Sequence, residues 1–125
     1  MSKHTILIIE DEKDIADNIM VRLEVEGFMT LCAHDGKKGI ESAREHKPDI
    51  ILLDIMLSKL DGIETCKILK KDTRTKDIPI IMLTSLSAVG DVEKAFAAGA
   101  NDYLTKPFEY DRLLGKITKW QDSSH

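Results

Sequence analysis

Acidic, hydroxyl and amine side chains recur in this sequence directly behind short apolar runs. Glu10, Asp11 and Glu12 follow Ile6-Leu7-Ile8-Ile9; Asp54 closes Ile50-Ile51-Leu52-Leu53; Thr84 and Ser85 follow Ile80-Ile81-Met82-Leu83; Thr105 and Lys106 end the stretch that opens at Asp102. Carboxylates at close quarters repel one another and are held together most easily by a hard divalent cation. Magnesium suits such a group, because it accepts a few carboxylates, keeps waters and leaves positions for phosphate oxygens. A lysine adds a compact positive charge for a carboxylate or a phosphate, and a threonine hydroxyl can donate to a phosphoryl oxygen. The set fits chemistry on a phosphoryl group, with one carboxylate free to act as nucleophile. That group must be brought by another molecule, since no GxxxxGK[ST] loop occurs and no GxGxxG follows the first run. Taken singly, Glu10, Asp11 or Thr84 could cap a helix and Lys106 could be solvated; their shared placement is what points to chemistry.

These residues need a scaffold that gathers run ends on one edge. The apolar runs predict strands at Ile6–Ile9, Phe28–Ala33, Asp49–Asp54, Ile78–Leu83 and Asp102–Thr105. Between them stand segments of helical period. Ile15, Ile19 and Leu23 recur every four residues until Gly27 offers a cap. Further helices are predicted over Lys37–Glu45, near Ile63–Leu69 after Asp61-Gly62, over Val89–Ala98 before Gly99, and over Tyr110–Trp120. Strands and helices in strict alternation with short connections give a parallel sheet covered on both faces, a doubly wound α/β fold. Ligands of such sheets bind beyond the carboxyl ends of the strands, where the acids, hydroxyls and lysine are collected.

Composition sets the outer bounds. With 125 residues, 42% hydrophobic and 32% charged, the chain is one domain able to bury a core. We place its core at about 3–120, with 121–125 as a frayed tail or linker stub. The net charge of −4 argues against direct nucleic-acid contact, which needs a basic face. No apolar run approaches the roughly 20 residues that cross a bilayer, and no export signal precedes the first strand, so a cytoplasmic location is expected. Cys32 and Cys66 lack metal spacing and read as reduced, buried thiols, and His4, His34, His46 and His125 as surface residues.

The chain resembles the receiver domains of two-component response regulators, the chemotaxis-Y-like superfamily. The resemblance runs from Lys3 to about Trp120. It rests on Ile8-Ile9-Glu10-Asp11-Glu12, on Pro48-Asp49 through Asp54-Ile55-Met56, on Asp61-Gly62, on Pro79 through Thr84-Ser85, and on Gly99-Ala100-Asn101-Asp102-Tyr103-Leu104-Thr105-Lys106-Pro107-Phe108, in that order. It implies a flavodoxin-like sheet of five strands in the order 2-1-3-4-5 with five helices. It makes Asp54 the phosphoacceptor for a phosphohistidine on a sensor histidine kinase or histidine phosphotransfer protein. Glu10 and Asp11 become the acidic pair for Mg2+, for which Mn2+ can substitute, with Asp54 and the backbone carbonyl of Met56 as further ligands. Thr84 becomes the switch hydroxyl, Tyr103 the aromatic that moves with it, Lys106 the phosphate-pairing lysine, and Lys106-Pro107 a cis bond. The output would be a downstream partner or a fused effector domain, controlled through the surface of the fourth helix, fifth strand and fifth helix. That surface also serves a phosphorylation-dependent homodimer in the family. Such a protein is a signalling switch that catalyses its own phosphoryl transfer rather than an enzyme acting on a separate substrate.

Four positions depart from the family pattern. Ser58 replaces a usual proline. Met56 and Leu86 flank the path of the water that hydrolyses the aspartyl phosphate, and both are apolar here, which predicts slow self-dephosphorylation. Arg112 stands where winged-helix regulators commonly carry an acid that pairs across a dimer with a lysine of the fourth helix, here Lys94. Two other classes share part of the pattern. A magnesium-dependent phosphohydrolase with an aspartate nucleophile should show a second acid in Asp54-Ile55-Met56, and a flavodoxin-like cofactor binder should show a Ser/Thr/Gly-rich loop in place of Glu10-Asp11-Glu12.

Overall fold

Neighbouring side chains of a strand point to opposite faces, so a strand apolar throughout must be covered on both. This is the situation of β1 (Thr5–Ile9) and β3 (Ile50–Asp54) at the centre of the sheet. The computed structural model describes residues 4–57, 60–85 and 89–123. The elements continue as α1 (Lys13–Val25), β2 (Met29–Ala33), α2 (Gly36–His46), α3 (Gly62–Lys71), β4 (Ile80–Ser85), α4 (Val89–Ala97), β5 (Asp102–Lys106) and α5 (Tyr110–Ser123). All strand pairs are parallel, in the order β2-β1-β3-β4-β5, so the expected doubly wound sheet is observed.

Alternation along the strands divides the core. Ile6, Ile8, Ile50 and Leu52 pack with Ala16, Ile19 and Leu23 of α1 and with Leu113 and Ile117 of α5. Leu7, Ile9, Ile51 and Leu53 face the other way, against Ile40 and Ala43 of α2, Cys66 and Leu69 of α3, and Ala95 of α4. Gly27, at φ +95°, and Gly99, at φ +104°, end α1 and α4 in the left-handed conformation that a side chain disfavours. No described helix is long and apolar enough to cross a membrane.

The boundaries differ from the sequence expectation in instructive ways. Thr84 and Ser85 belong to β4 and Lys106 to β5, because main-chain pairing continues through Thr84↔Thr105 and Ser85↔Lys106 after the apolar residues stop. An apolar run marks only the part of a strand that helices cover. Helix α5 extends past Trp120 to Ser123, three residues beyond the end expected for that helix, and 124–125 of the expected tail lie outside the described residues. The bond from Trp120 Nε1 to Asp102 Oδ2, at 2.9 Å, holds those last turns to the sheet. Cys66 is buried as expected, but Cys32 is only half-buried, since β2 is an edge strand with one neighbour.

Gly62 opens α3 against the end of β3. A Cβ there would lie 2.3 Å from the Asp54 carbonyl oxygen and 2.6 Å from Ile55 Cα, both backbone atoms that cannot swing aside. Asp61 caps the same helix by accepting from Glu64 N–H at 2.9 Å. We expect Gly62→Ala to cost about 2 kcal/mol, as overpacking does, read as a lower midpoint of thermal unfolding. An unchanged midpoint would mean that the loop relaxes freely.

Candidate functional site

The ends of β1, β3, β4 and β5 meet at one edge, and the sheet order places β1 and β3 side by side there. Glu10 leaves β1 fully buried, its N–H donating to the Ala33 carbonyl at 3.0 Å. Asp54, at the end of β3, is 4% exposed. Its Oδ1 accepts the Met56 N–H at 3.0 Å and its Oδ2 accepts Lys106 Nζ at 3.0 Å. The same ammonium donates to Glu10 Oε1 at 3.0 Å. Lys106 is therefore not a solvated surface lysine. Glu10, Asp11 and Asp54 each present a carboxylate oxygen within 4.8 Å of the others. The N-cap of α1 is Glu12, whose side chain makes no capping bond, so this acid does not serve as a cap.

Charge is unbalanced in this cluster. Three carboxylates and one ammonium sum to −2. Burial first, and then the neighbouring Asp54 carboxyl, push Glu10 up to about 8 against the pull of Lys106. Burial alone would lower the Lys106 ammonium, but its bonds to Glu10 and Asp54 prevail and raise it. Among the described residues, Glu10 Oε2 and Thr84 Oγ1 are both buried without a hydrogen-bond partner. An orphaned buried oxygen is costly, and two of them at these strand ends fit a site that takes a cation and a phosphoryl oxygen. A hard divalent ion held by Glu10, Asp11 and Asp54 would cancel the residual charge and replace the proton that Glu10 otherwise retains.

A pH signature follows. Glu10 has a higher pKa folded, about 8, than its ordinary 4.5. It therefore binds more protons in the folded than in the unfolded chain between those values, and the associated stability is complete below the lower one and lost as pH rises through the upper. Metal-free protein should lose thermal stability between about pH 5 and about pH 8. Mg2+ should restore it increasingly over the same interval, by about 2.7 kcal/mol where the ion is at a hundredfold its Kd. Melting curves with and without Mg2+ across that range decide the matter. A stabilisation that does not vary with pH would be contrary to it.

Tyr103, on β5, is half-buried; its ring meets Phe96 of α4 edge-on at 5.8 Å and 89°, and Lys116 Nζ lies 5.6 Å from its centre. The Lys106-Pro107 peptide is cis. Met56 is 68% exposed, whereas Leu86 and Ser58 lie outside the described residues. Arg112 and Lys94 are both exposed. His34 and His46 are exposed too, and His4 is half-buried 3.6 Å from Asp49 Oδ2. Two neighbours of the site carry no signal in the sequence. His34 places Nδ1 3.2 Å from the Glu10 carbonyl, and no spacing rule announces that contact. Phe96 stands out in the sequence only as an aromatic among alanines.

A doubly wound parallel sheet with an acid cluster, a buried hydroxyl and an inward lysine at its carboxyl edge defines a class of phosphoryl-handling α/β domains. The family model described as "Response regulator receiver domain" matches residues 6–118. The chain is 45% identical over 112 residues to the DNA-binding dual master transcriptional regulator RpaA of Synechocystis, a stretch covering 90% of this chain and 46% of that protein. The receiver domain of the sensor histidine kinase PA1611 from Pseudomonas aeruginosa, whose structure has magnesium coordinated in the active site cleft, superposes with a TM-score of 0.89 at 31% identity, over 97% of this chain and 99% of the other. The Francisella response regulator 1452 receiver domain gives 0.90 at 32% identity, over 98% and 100%. The chain belongs to the response regulator receiver domain family of two-component signalling, whose members are phosphorylated on an aspartate with Mg2+. It spans about half the length of the curated relatives it matches.

Proposed function

We propose that Asp54 is the phosphoacceptor of this receiver, and that Glu10, Asp11, Asp54 and the Met56 carbonyl hold Mg2+, or Mn2+ in its place. The observation that carries this is the single ammonium of Lys106 placed 3.0 Å from both Glu10 and Asp54, beside two orphaned buried oxygens. Asp54 Oδ attacks the phosphorus of a phosphohistidine on a sensor kinase or phosphotransfer protein. The new O–P bond forms as the P–N bond breaks, and the imidazole nitrogen keeps the electron pair and takes a proton. When bound, Mg2+ supplies positive charge beside the phosphoryl oxygens. Lys106 then exchanges its Asp54 contact for a phosphoryl oxygen, and Thr84 Oγ1 gains the acceptor it lacks. An apolar groove of about 520 Å3, lined by Ile15, Asn18, Ile19, Arg22, Pro107 and Phe108, opens beside Lys106 and offers the donor a footing.

Drawing Thr84 toward the phosphoryl group makes room for Tyr103, which biases a two-state equilibrium of the α4-β5-α5 surface. That surface controls an output partner or fused effector and serves phosphorylation-dependent homodimers. The like charges of Arg112 and Lys94 disfavour the acid-lysine form of that dimer. The domain acts in the cytoplasm, touches no nucleic acid itself, and is a switch that catalyses its own phosphorylation and slow dephosphorylation. Incubation with Mg2+ and acetyl phosphate tests this: one stoichiometric label supports the receiver, while sustained turnover would indicate a phosphohydrolase.

Met56 and Leu86 offer no polar group to orient a hydrolytic water, so the aspartyl phosphate should be long-lived. Met56→Asn combined with Leu86→Glu should speed its hydrolysis roughly tenfold by orienting that water. An unaltered decay of the labelled protein would refute this role.

A further inference from the structure

Asp102 opens β5 as a buried carboxylate outside the acid cluster. Its Oδ1 accepts the Tyr103 N–H at 2.8 Å and Lys116 Nζ at 2.9 Å, while its Oδ2 accepts Trp120 Nε1 at 2.9 Å. Burial alone would raise this carboxyl, but the bonds from Lys116, Trp120 and the Tyr103 N–H prevail and hold it below the usual carboxylate range. The Lys116 ammonium has a second partner, the Tyr103 ring, 5.6 Å from its centre. One cation is thus shared between the ring of Tyr103 and the carboxylate that anchors the indole of Trp120. Phe96 supports that ring from α4.

We propose that Lys116, Asp102 and Trp120 form a relay that carries the position of Tyr103 to the last turns of α5, with Lys116 and Asp102 as positioning residues for Tyr103; this rests on the switch role proposed above for Tyr103. While the ring stays between Phe96 and Lys116, the ammonium is divided between π-face and carboxylate. When the ring turns away, Lys116 loses one of its two partners and settles on Asp102 Oδ1. The charge facing the Trp120 N–H across the same carboxylate changes with it. Both oxygens of Asp102 are engaged, so a shift at one is felt at the other. Lys119 Nζ lies 5.3 Å from the Trp120 ring centre.

Trp120 is the one tryptophan of the sequence, so its emission reads the relay directly. The full chain is titrated with Mg2+ and beryllofluoride, a tetrahedral phosphoryl mimic, and occupancy is followed independently by 19F NMR. The wild type should change its emission as beryllofluoride binds, Lys116→Met should lose that change while still binding, and Lys116→Arg should retain it. An unchanged wild-type emission at full occupancy overturns the relay alone. So does a Lys116→Met protein that responds like the wild type. Failure of beryllofluoride to bind at all overturns the relay together with the phosphoacceptor reading.

Discussion

Asp54→Asn should abolish labelling by acetyl phosphate and at the same time make the metal-free protein more stable. The first effect is chemical: an amide oxygen carries no charge for attack on phosphorus and cannot give the acyl phosphate. The second comes from the surroundings. Asp54 is one of the two largest influences that raise Glu10 to about 8, burial being the other. An asparagine removes the neighbouring negative charge, keeps an oxygen for the Met56 N–H, and brings an N–H that can donate to a Glu10 oxygen. Lys106 is then left with Glu10 as its one charged partner among the described residues. Relief of such repulsion at a functional site is worth about 1 kcal/mol. The gain should appear near pH 8 and fade toward pH 5, where Glu10 is protonated in either protein. Intact-mass measurement reads the label and thermal unfolding reads the stability. A label that persists in the variant would move the nucleophile to another acid, and a loss of stability at pH 8 would show that the carboxylates are not in conflict.

Much of this arrangement was legible in the sequence because main-chain rules determine it. Runs such as Ile50-Ile51-Leu52-Leu53 can only be strands covered on both faces, and a parallel sheet must bring their carboxyl ends to one edge. Asp54, Glu10, Thr84 and Lys106 were recognisable from their place behind those runs. What remained hidden depends on side-chain reach. Lys106 was legible as a lysine near acids, but not as an ammonium equidistant from Glu10 and Asp54. Asp102 was read as the start of a strand, and its bonds to Lys116 and Trp120 join residues 14 and 18 positions away, a contact that no periodicity encodes. The same bonds explain why α5 outlasts the apolar pattern that ended at Trp120. Gly62 marked a turn in the sequence, whereas its closeness to the backbone of Asp54 emerges only once α3 has docked.

Lys106→Met gives the counterpart to the first experiment, since it removes the cation and leaves the acids. Glu10 is wholly buried and Asp54 nearly so, and both lose their one ammonium partner among the described residues. Stripping a partner from a buried ion pair costs about 3–5 kcal/mol, because the remaining charge is uncompensated. Methionine fills the same volume, so little of that loss is cavity. The cost has an upper limit: Glu10 can take up a proton, so the variant should suffer most above about pH 8 and least near pH 5. Mg2+ should recover part of the stability, as a divalent ion brings the charge that the lysine no longer does. Labelling should slow by about a hundredfold, the usual effect of deleting one preorganised cation from a transferring phosphoryl group, yet remain detectable because Asp54 and the acid pair are intact. The two substitutions therefore move stability in opposite directions at the same pH. Only a cluster short of positive charge behaves in that way; if Lys106→Met proved neutral at pH 8, the acids would have to be solvated, contrary to their burial.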